Sequence, residues 1–366
     1  MGVARFAFTS LLPSMTQEYL TIKDVGILAS INFVGYLSGA LLAISLQSIT
    51  TKVWLFRLGL FLSVSTTVVL ASTTDETLWL IARLLAGFGS AMTFLVGSSL
   101  VMLKLKLEDK TKAMGIHFMG IGLGIVFSEL LVQVMLRFAS WSSAWLALAS
   151  AAFILSLYAL YILDFKEMPP LHHKKQRFDF SIFSPYVLLL VLAYFTEGVG
   201  FVIQGTFLPN IINSLSGLEG YGNLGWLIVG LVGVPSSLVW MRLAHRYNNI
   251  DVIIVAMFLQ LIGILIPALF SNIYLNLLSA ALYGSTFIGL VALFMNLGGK
   301  ISPKNPVTLM GAMTAAYGVG QVGAPLYSVA LTSHFGNYNT TLYLTAFILF
   351  LGILALQAAK RVSARV

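Results

Sequence analysis

In a chain of 366 residues, 58% are hydrophobic and only 9% charged, with a mean hydropathy of +0.92. An ordinary soluble domain carries roughly a quarter charged residues, so a soluble globular protein is excluded and lipid must surround this one. The absence of cysteine excludes disulfides, thiolate metal sites and thiol catalysis. The net charge of +8 is no nucleic-acid footprint, because 17 of the 21 Lys and Arg fall in short segments on one side of the predicted spans.

A helix crosses the bilayer with about 20 predominantly apolar residues. On that rule, spans are predicted over 1–17, 25–47, 53–73, 77–103, 112–137 and 141–163, and then over 184–212, 222–243, 249–270, 272–298, 306–333 and 339–359. The fold class is all-α membrane protein, with twelve spans in two pseudo-symmetric six-helix bundles (1–163 and 184–366). Between them, 164–183 holds Pro169-Pro170 and His172-His173-Lys174-Lys175 and reads as a cytoplasmic linker rather than a metal site. Basic clusters alternate with loops that are acidic or neutral, Lys23 and Arg137 being the exceptions. That alternation places the basic loops and both termini of a multi-pass protein in the cytoplasm. Arg5 interrupts the first apolar stretch, so no cleavable signal is expected.

The halves repeat. Met114-Gly115 and Met310-Gly311 stand 196 apart; the same offset relates Gly122 and Gly124 to Gly318 and Gly320, and Leu12-Pro13 to Leu208-Pro209. Duplicated six-span halves mark the major facilitator fold, in which parallel repeats enclose a site near the bilayer midplane. The repeat also predicts that span 1 begins about a dozen residues before Met1, so the first helix is expected to be truncated at its start. Gly35 and Gly39, and Gly120 and Gly124, share helix faces and are expected where spans 2, 5, 8 and 11 meet across the halves.

The run from Gly2 through Arg5 to Pro13-Ser-Met15 resembles the first-span signature of the YbfB/YjiJ branch of major facilitator transporters. Ala29 to Leu41, and Gly198-Val-Gly-Phe with Gly205-Thr-Phe-Leu-Pro209, are similar to the same branch. The resemblance covers essentially the whole chain. It implies inner-membrane secondary transport by alternating access, with spans 1, 4, 7 and 10 lining the cavity. Two departures stand out. The loop Ser48 to Trp54 lacks the acid usual in the superfamily, and His245 stands where an Asp is common, which puts in doubt a charge relay at the inward gate. Glu129 in span 5 aligns with Pro325 in span 11.

Ionisable residues inside spans are costly and default to functional candidates. Arg5 lies about 18 Å below the outer end of its span by helical rise, and its planar guanidinium could grip a carboxylate or phosphate. Permanent pairing with Glu129 is the alternative. Glu197 and Glu129 are the proton-coupling candidates. Arg83 lies within about 10 Å of the surface and could snorkel, and His117 reads as a satisfied polar residue. The substrate-binding candidates are Arg5, Thr9, Tyr36, Phe201, Gln204, Tyr317 and Gln321, with Arg242 and Arg246 as gating residues. Thr314 shares the stripe of Tyr317 and Gln321, Asn32 that of Tyr36, and Phe6, Phe8, Tyr194 and Tyr283 could wall the cavity.

The leading function is proton-coupled transport of a small organic solute, an anion by preference, with Arg5 as anchor. Export of lipophilic cations is the alternative, and a channel or transport-inactive receptor on the same fold is the other class. No enzyme is expected, since five scattered His and no Asp deep in a span make no catalytic constellation. No phosphate-binding loop argues for ATP drive. The expected partners are the substrate, protons and the lipid bilayer, with no nucleic acid, no metal and no other cofactor, and the protein is expected to be a monomer.

Overall fold

A computed structural model describes residues 2–46, 48–104, 110–162, 183–301 and 306–363. Among the described residues its regular elements are all helices. The helices are α1 Gly2–Glu18, α2 Ile22–Ser45, α3 Ile49–Ser72, α4 Glu76–Ala91, α5 Gly97–Lys104, α6 Lys110–Met135 and α7 Trp141–Ile162. They continue with α8 Pro185–Asn213, α9 Gly222–Arg246, α10 Asn249–Leu269, α11 Ile273–Ile301, α12 Pro306–Phe335 and α13 Asn339–Ser363. A π-helical turn over Met92–Val96 joins α4 to α5 in one rod. Every predicted span coincides with a helix or this rod, and ten of them among the described residues are long and apolar enough to cross a bilayer. The expected linker lies outside the described residues, apart from Phe183.

The helix starts are set by side-chain caps on otherwise orphaned backbone N–H groups. Thr21 and Asp24 form a reciprocal capping box before α2. Asp75 accepts from Leu78 N at 2.8 Å before α4, and Ser184 caps α8 with Pro185 at its first position. The helices' positions differ in how far protein surrounds them. In the most apolar stretch of α8 and of α11, 67% of the residues are buried, against 22% in α7, so α8 and α11 form the centre and α7 the lipid-facing rim.

Lipid tails are as apolar as leucine, so helices in a bilayer associate through close packing and small residues. The glycines obey this rule, though not all where the sequence placed them. Gly35 and Gly39 face α4, against Leu84, Phe88 and Ala91, so they close a contact within the first half rather than between halves. A Cβ at Gly120 would meet nothing within 4 Å. The crossings between halves use other glycines. Gly122 of α6 lies against Gly233 and Val234 of α9, and Gly230 of α9 against Ile125 and Val126. Gly26 and Gly318 do the same between α2 and α12. A Cβ at Gly122 would stand 2.6 Å from Val234 N and 2.9 Å from Gly233 C, both backbone atoms that cannot swing away. Gly122→Val is therefore expected to lower stability by about 1–3 kcal/mol, read as a lower thermal midpoint in detergent; an unchanged midpoint would show that this crossing is not tightly packed.

Candidate functional site

The central cavity is walled by side chains from α1, α2, the π turn, α6, α8, α11 and α12, and encloses about 650 Å³ including its mouth. Its lining includes Arg5, Phe6, Tyr36, Phe94, Tyr194, Phe201, Thr314, Tyr317 and Gln321. Arg5 and Phe6 lie early in α1, Tyr36 late in α2, and Thr314 to Gln321 early in α12. The cavity thus occupies the middle of the bundle and the half towards its basic end, where Arg242, Arg246 and Lys300 stand. No Asp or Glu is among the lining residues.

Arg5 is 7% exposed and sits in a cage of four rings. Its guanidinium carbon is 4.2 Å from the Tyr36 ring centroid, 5.1 Å from Phe33, 5.7 Å from Phe6 and 5.8 Å from Phe201. Cation–π contact of this kind stabilises a cation by about 0.5–2 kcal/mol, and the Tyr36 hydroxyl is also a hydrogen-bonding neighbour of the guanidinium. Among the described residues Nη2 has no hydrogen-bond partner and no ion pair reaches Arg5. A buried cation without a counter-ion is costly. An anionic ligand arriving in the cavity would supply the missing charge.

Glu129 does not meet it. Its Oε1 accepts from Asn223 Nδ2 at 2.8 Å and from Gln133 Nε2 at 2.9 Å. Asn223, at the start of α9, also donates to Ser10 O of α1 at 3.0 Å, so one amide ties α1, α6 and α9 together on the side of the cavity away from the basic end. Beside it, Thr9 Oγ1 donates to Gly205 O of α8 at 2.8 Å. Thr9 and Gly205 are 196 residues apart, as are Arg5 and Phe201, so α1 and α8 touch through residues that are equivalents in the repeat. Thr9 is therefore part of the closure and not of the cavity lining.

Asn223→Ala removes two hydrogen bonds of about 1 kcal/mol each and is expected to loosen this closure roughly tenfold or more. The chain has no cysteine, so a single Ser10→Cys reports it without background. Alkylation by a membrane-impermeant maleimide is expected to be faster in the Asn223→Ala background; an equal rate would remove Asn223 from the gate.

Glu197 and Gln204 lie on another face of α8. Glu197 and Gln260 of α10 are polar neighbours, both fully buried, and among the described residues no other side-chain hydrogen bond reaches either. Gln204 Nε2 donates to Gly263 O at 3.2 Å and to Ser279 Oγ at 3.1 Å, tying α8 to α10 and α11. Neither Glu197 nor Gln204 is among the residues that line the cavity. Tyr283 is spent likewise, donating to Phe201 O at 2.8 Å.

Arg83 does not snorkel. It is 3% exposed, its Nε donates to Leu28 O at 3.3 Å, and it lies 4.2 Å over the Phe8 ring. The reason is local: Asn32 Nδ2 of α2 donates to Arg83 O, and glycines at 35 and 87 bring α2 and α4 too close for the side chain to escape. His117 is bonded to Ser98 Oγ at 2.7 Å through Nε2, as a satisfied polar residue would be. Arg242 and Arg246 are exposed at the end of α9, with no ion pair among the described residues.

Three contributors were not singled out from the sequence. The π turn presents Phe94 and Leu95 to the cavity, and such turns recur at functional sites. No residue pattern in Met92–Val96 announces it. Asn223, beside glycines at a span end, gave no signal either. Gln260 could have been found, as the lone amide in the apolar run of α10.

The comparisons agree with this architecture. A family model described as "Uncharacterised MFS-type transporter YbfB" matches residues 1–357. An uncharacterized transporter, BU588, of Buchnera aphidicola subsp. Acyrthosiphon pisum is 23% identical over 274 residues, which is 71% of this chain and 65% of that protein. The chain thus matches just under two thirds of that relative's length. A second uncharacterized transporter, from Buchnera aphidicola subsp. Schizaphis graminum, is 21% identical over 77% of this chain and 70% of its own. The human chromaffin granule amine transporter is 26% identical over 51% of this chain and 41% of its own. A match to the family model over nearly the whole length, on a multi-pass helical chain with a central cavity, means that this protein belongs to the YbfB family of MFS-type transporters and is not an enzyme.

Proposed function

We propose that this transporter moves an organic anion across the bacterial inner membrane by alternating access, coupled to protons, with Arg5 as the anion anchor. The observation that carries the reading is the Arg5 guanidinium, which among the described residues has no ion pair and an unpartnered Nη2, in a cavity whose lining holds no carboxylate. Twelve spans in two six-helix bundles (1–163 and 184–366), joined by a cytoplasmic linker at 164–183, complete the architecture. Both termini are then cytoplasmic, so the cavity lies on the cytoplasmic side of the closure made by Thr9, Asn223 and Glu129. The protein works as a monomer in this reading, and it needs no metal and no other cofactor.

Tyr36, Phe201, Tyr317 and Gln321 join Arg5 in the binding site. Glu197 is the proton carrier and Glu129 belongs to the outer gate, while Arg242 and Arg246 act at the inner one. Export of a lipophilic cation is the second reading, favoured by the resemblance to an amine transporter. A lining without acids weighs against it, since a cation there would face Arg5 with no counter-charge.

The test is electrical. On a solid-supported membrane carrying proteoliposomes, jumps in organic anion concentration are expected to evoke transient currents that Arg5→Ala abolishes. Currents evoked by lipophilic amines, and unaffected by Arg5→Ala, would replace this reading with the second.

A further inference from the structure

We infer that the cavity takes an aromatic acid with one negative charge and one uncharged hydrogen-bond donor, a deeper reading that rests on the anion function proposed above. Two buried lining atoms have no partner among the described residues and make opposite demands. Arg5 Nη2, on a residue 7% exposed, is a charged donor; Gln321 Oε1, on a residue 1% exposed, is an acceptor. Leaving either unmet costs stability, and a site built to hydrogen-bond a ligand group rejects analogues that lack it far more strongly than an apolar wall can.

The first demand is met by a carboxylate, whose two oxygens match the guanidinium edge. The second is met by an O–H or N–H. That second group must be uncharged. An ammonium would find no Asp or Glu among the lining residues, and a second carboxylate would find no cation beyond Arg5.

The body between the two groups follows from the walls. Phe201 and Phe287 have ring centroids 5.7 Å apart, and Phe201 and Tyr317 6.0 Å, all three tilted across the lining between α8, α11 and α12. Tilted rings at these separations favour a flat aromatic body over a branched aliphatic one, because ring pairs gain beyond their buried area. Tyr36 covers a face of the guanidinium at 4.2 Å, so the ligand must reach Arg5 at its edge and not by stacking on that face.

The test uses the purified full chain and matched pairs of acids that differ by one hydroxyl. The pairs are benzoate with 4-hydroxybenzoate, phenylacetate with 4-hydroxyphenylacetate, and 3-phenylpropanoate with 3-(4-hydroxyphenyl)propanoate, with cyclohexanecarboxylate as the aliphatic control. Dissociation constants are read by calorimetry. In at least one pair the hydroxylated acid is expected to bind about tenfold tighter than its parent, and cyclohexanecarboxylate is expected to bind more weakly than benzoate. In Gln321→Met that ratio is expected to fall to about one, with a monodisperse elution profile and a near wild-type thermal midpoint serving as the folding control. A hydroxyl that adds nothing in every pair, or an advantage that persists in Gln321→Met, overturns the inference. If the parent acids still bind and lose binding in Arg5→Ala, the anion reading stands without it. If no acid binds in an Arg5-dependent way, both fall.

Discussion

Arg5→Ala is expected to weaken organic-anion binding about a hundredfold or more while leaving a folded protein in the membrane. A hydrogen bond to a charged group contributes about 1.5–3 kcal/mol, and each 1.4 kcal/mol is tenfold in affinity. Folding should survive because the guanidinium makes no ion pair among the described residues, so Ala removes a buried cation that no carboxylate attends. Arg5→Lys sharpens the result. Lysine keeps the charge but loses the bidentate edge and the planar face that lies on Tyr36, so intermediate binding is expected. Calorimetric titration of the three proteins with one carboxylate and one uncharged analogue checks this. Wild-type affinity in Arg5→Ala would make Arg5 a structural residue.

The second large effect is at Glu197. Glu197→Gln is expected to retain ligand binding and exchange but to lose accumulation driven by a pH gradient at least tenfold, on the proposed proton role. A fully buried carboxylate with no cation beside it among the described residues is costly as an anion, and the isosteric amide copies the neutral acid in shape. Gln260 can bond either form, so the contact between α8 and α10 should survive the exchange. Because Glu197 lies off the cavity lining, the substitution should spare affinity, which separates coupling from binding. Glu129→Gln is the control. There the carboxyl holds Asn223 and Gln133, so the expected effect is on outer closure rather than on proton drive. Gradient-driven accumulation that survives Glu197→Gln and fails in Glu129→Gln would move the proton role to Glu129.

The fold was legible in the sequence because the bilayer imposes one dominant rule. An apolar run of about 20 residues must become a helix to satisfy its backbone, so span positions follow from composition alone. Lys110 and Pro306, which begin α6 and α12, even stand at the 196-residue offset of the repeat. What composition does not specify is the rotation of each helix about its own axis. Gly35 and Gly39 share a face, as the four-residue spacing requires, but nothing in that spacing says whether the face looks at α4 or at the other half.

The same limit governs the site. Arg5, Tyr36, Phe201, Tyr317 and Gln321 meet in the cavity, whereas Thr9 and Gln204 bond to other neighbours and Glu197 lies off the lining, because composition leaves open which stripe of a helix faces the cavity. Arg83 departs from its expected position for a related reason. Depth along the helix suggested snorkelling, but the close approach of α2 and α4 encloses the side chain. The π turn at Met92–Val96 was invisible because it is a backbone event with no compositional mark.

The most direct test of the central claim is a ligand-induced thermal shift of the wild type and Arg5→Ala against benzoate, benzyl alcohol and benzylamine, three ligands of one shape that differ in charge. Ligand held at a hundredfold over its dissociation constant stabilises the folded state by about 2.7 kcal/mol. The expected result is a shift with benzoate alone that vanishes in Arg5→Ala. A shift with benzylamine that persists in Arg5→Ala, with none from benzoate, would contradict the assignment of Arg5 as an anion anchor.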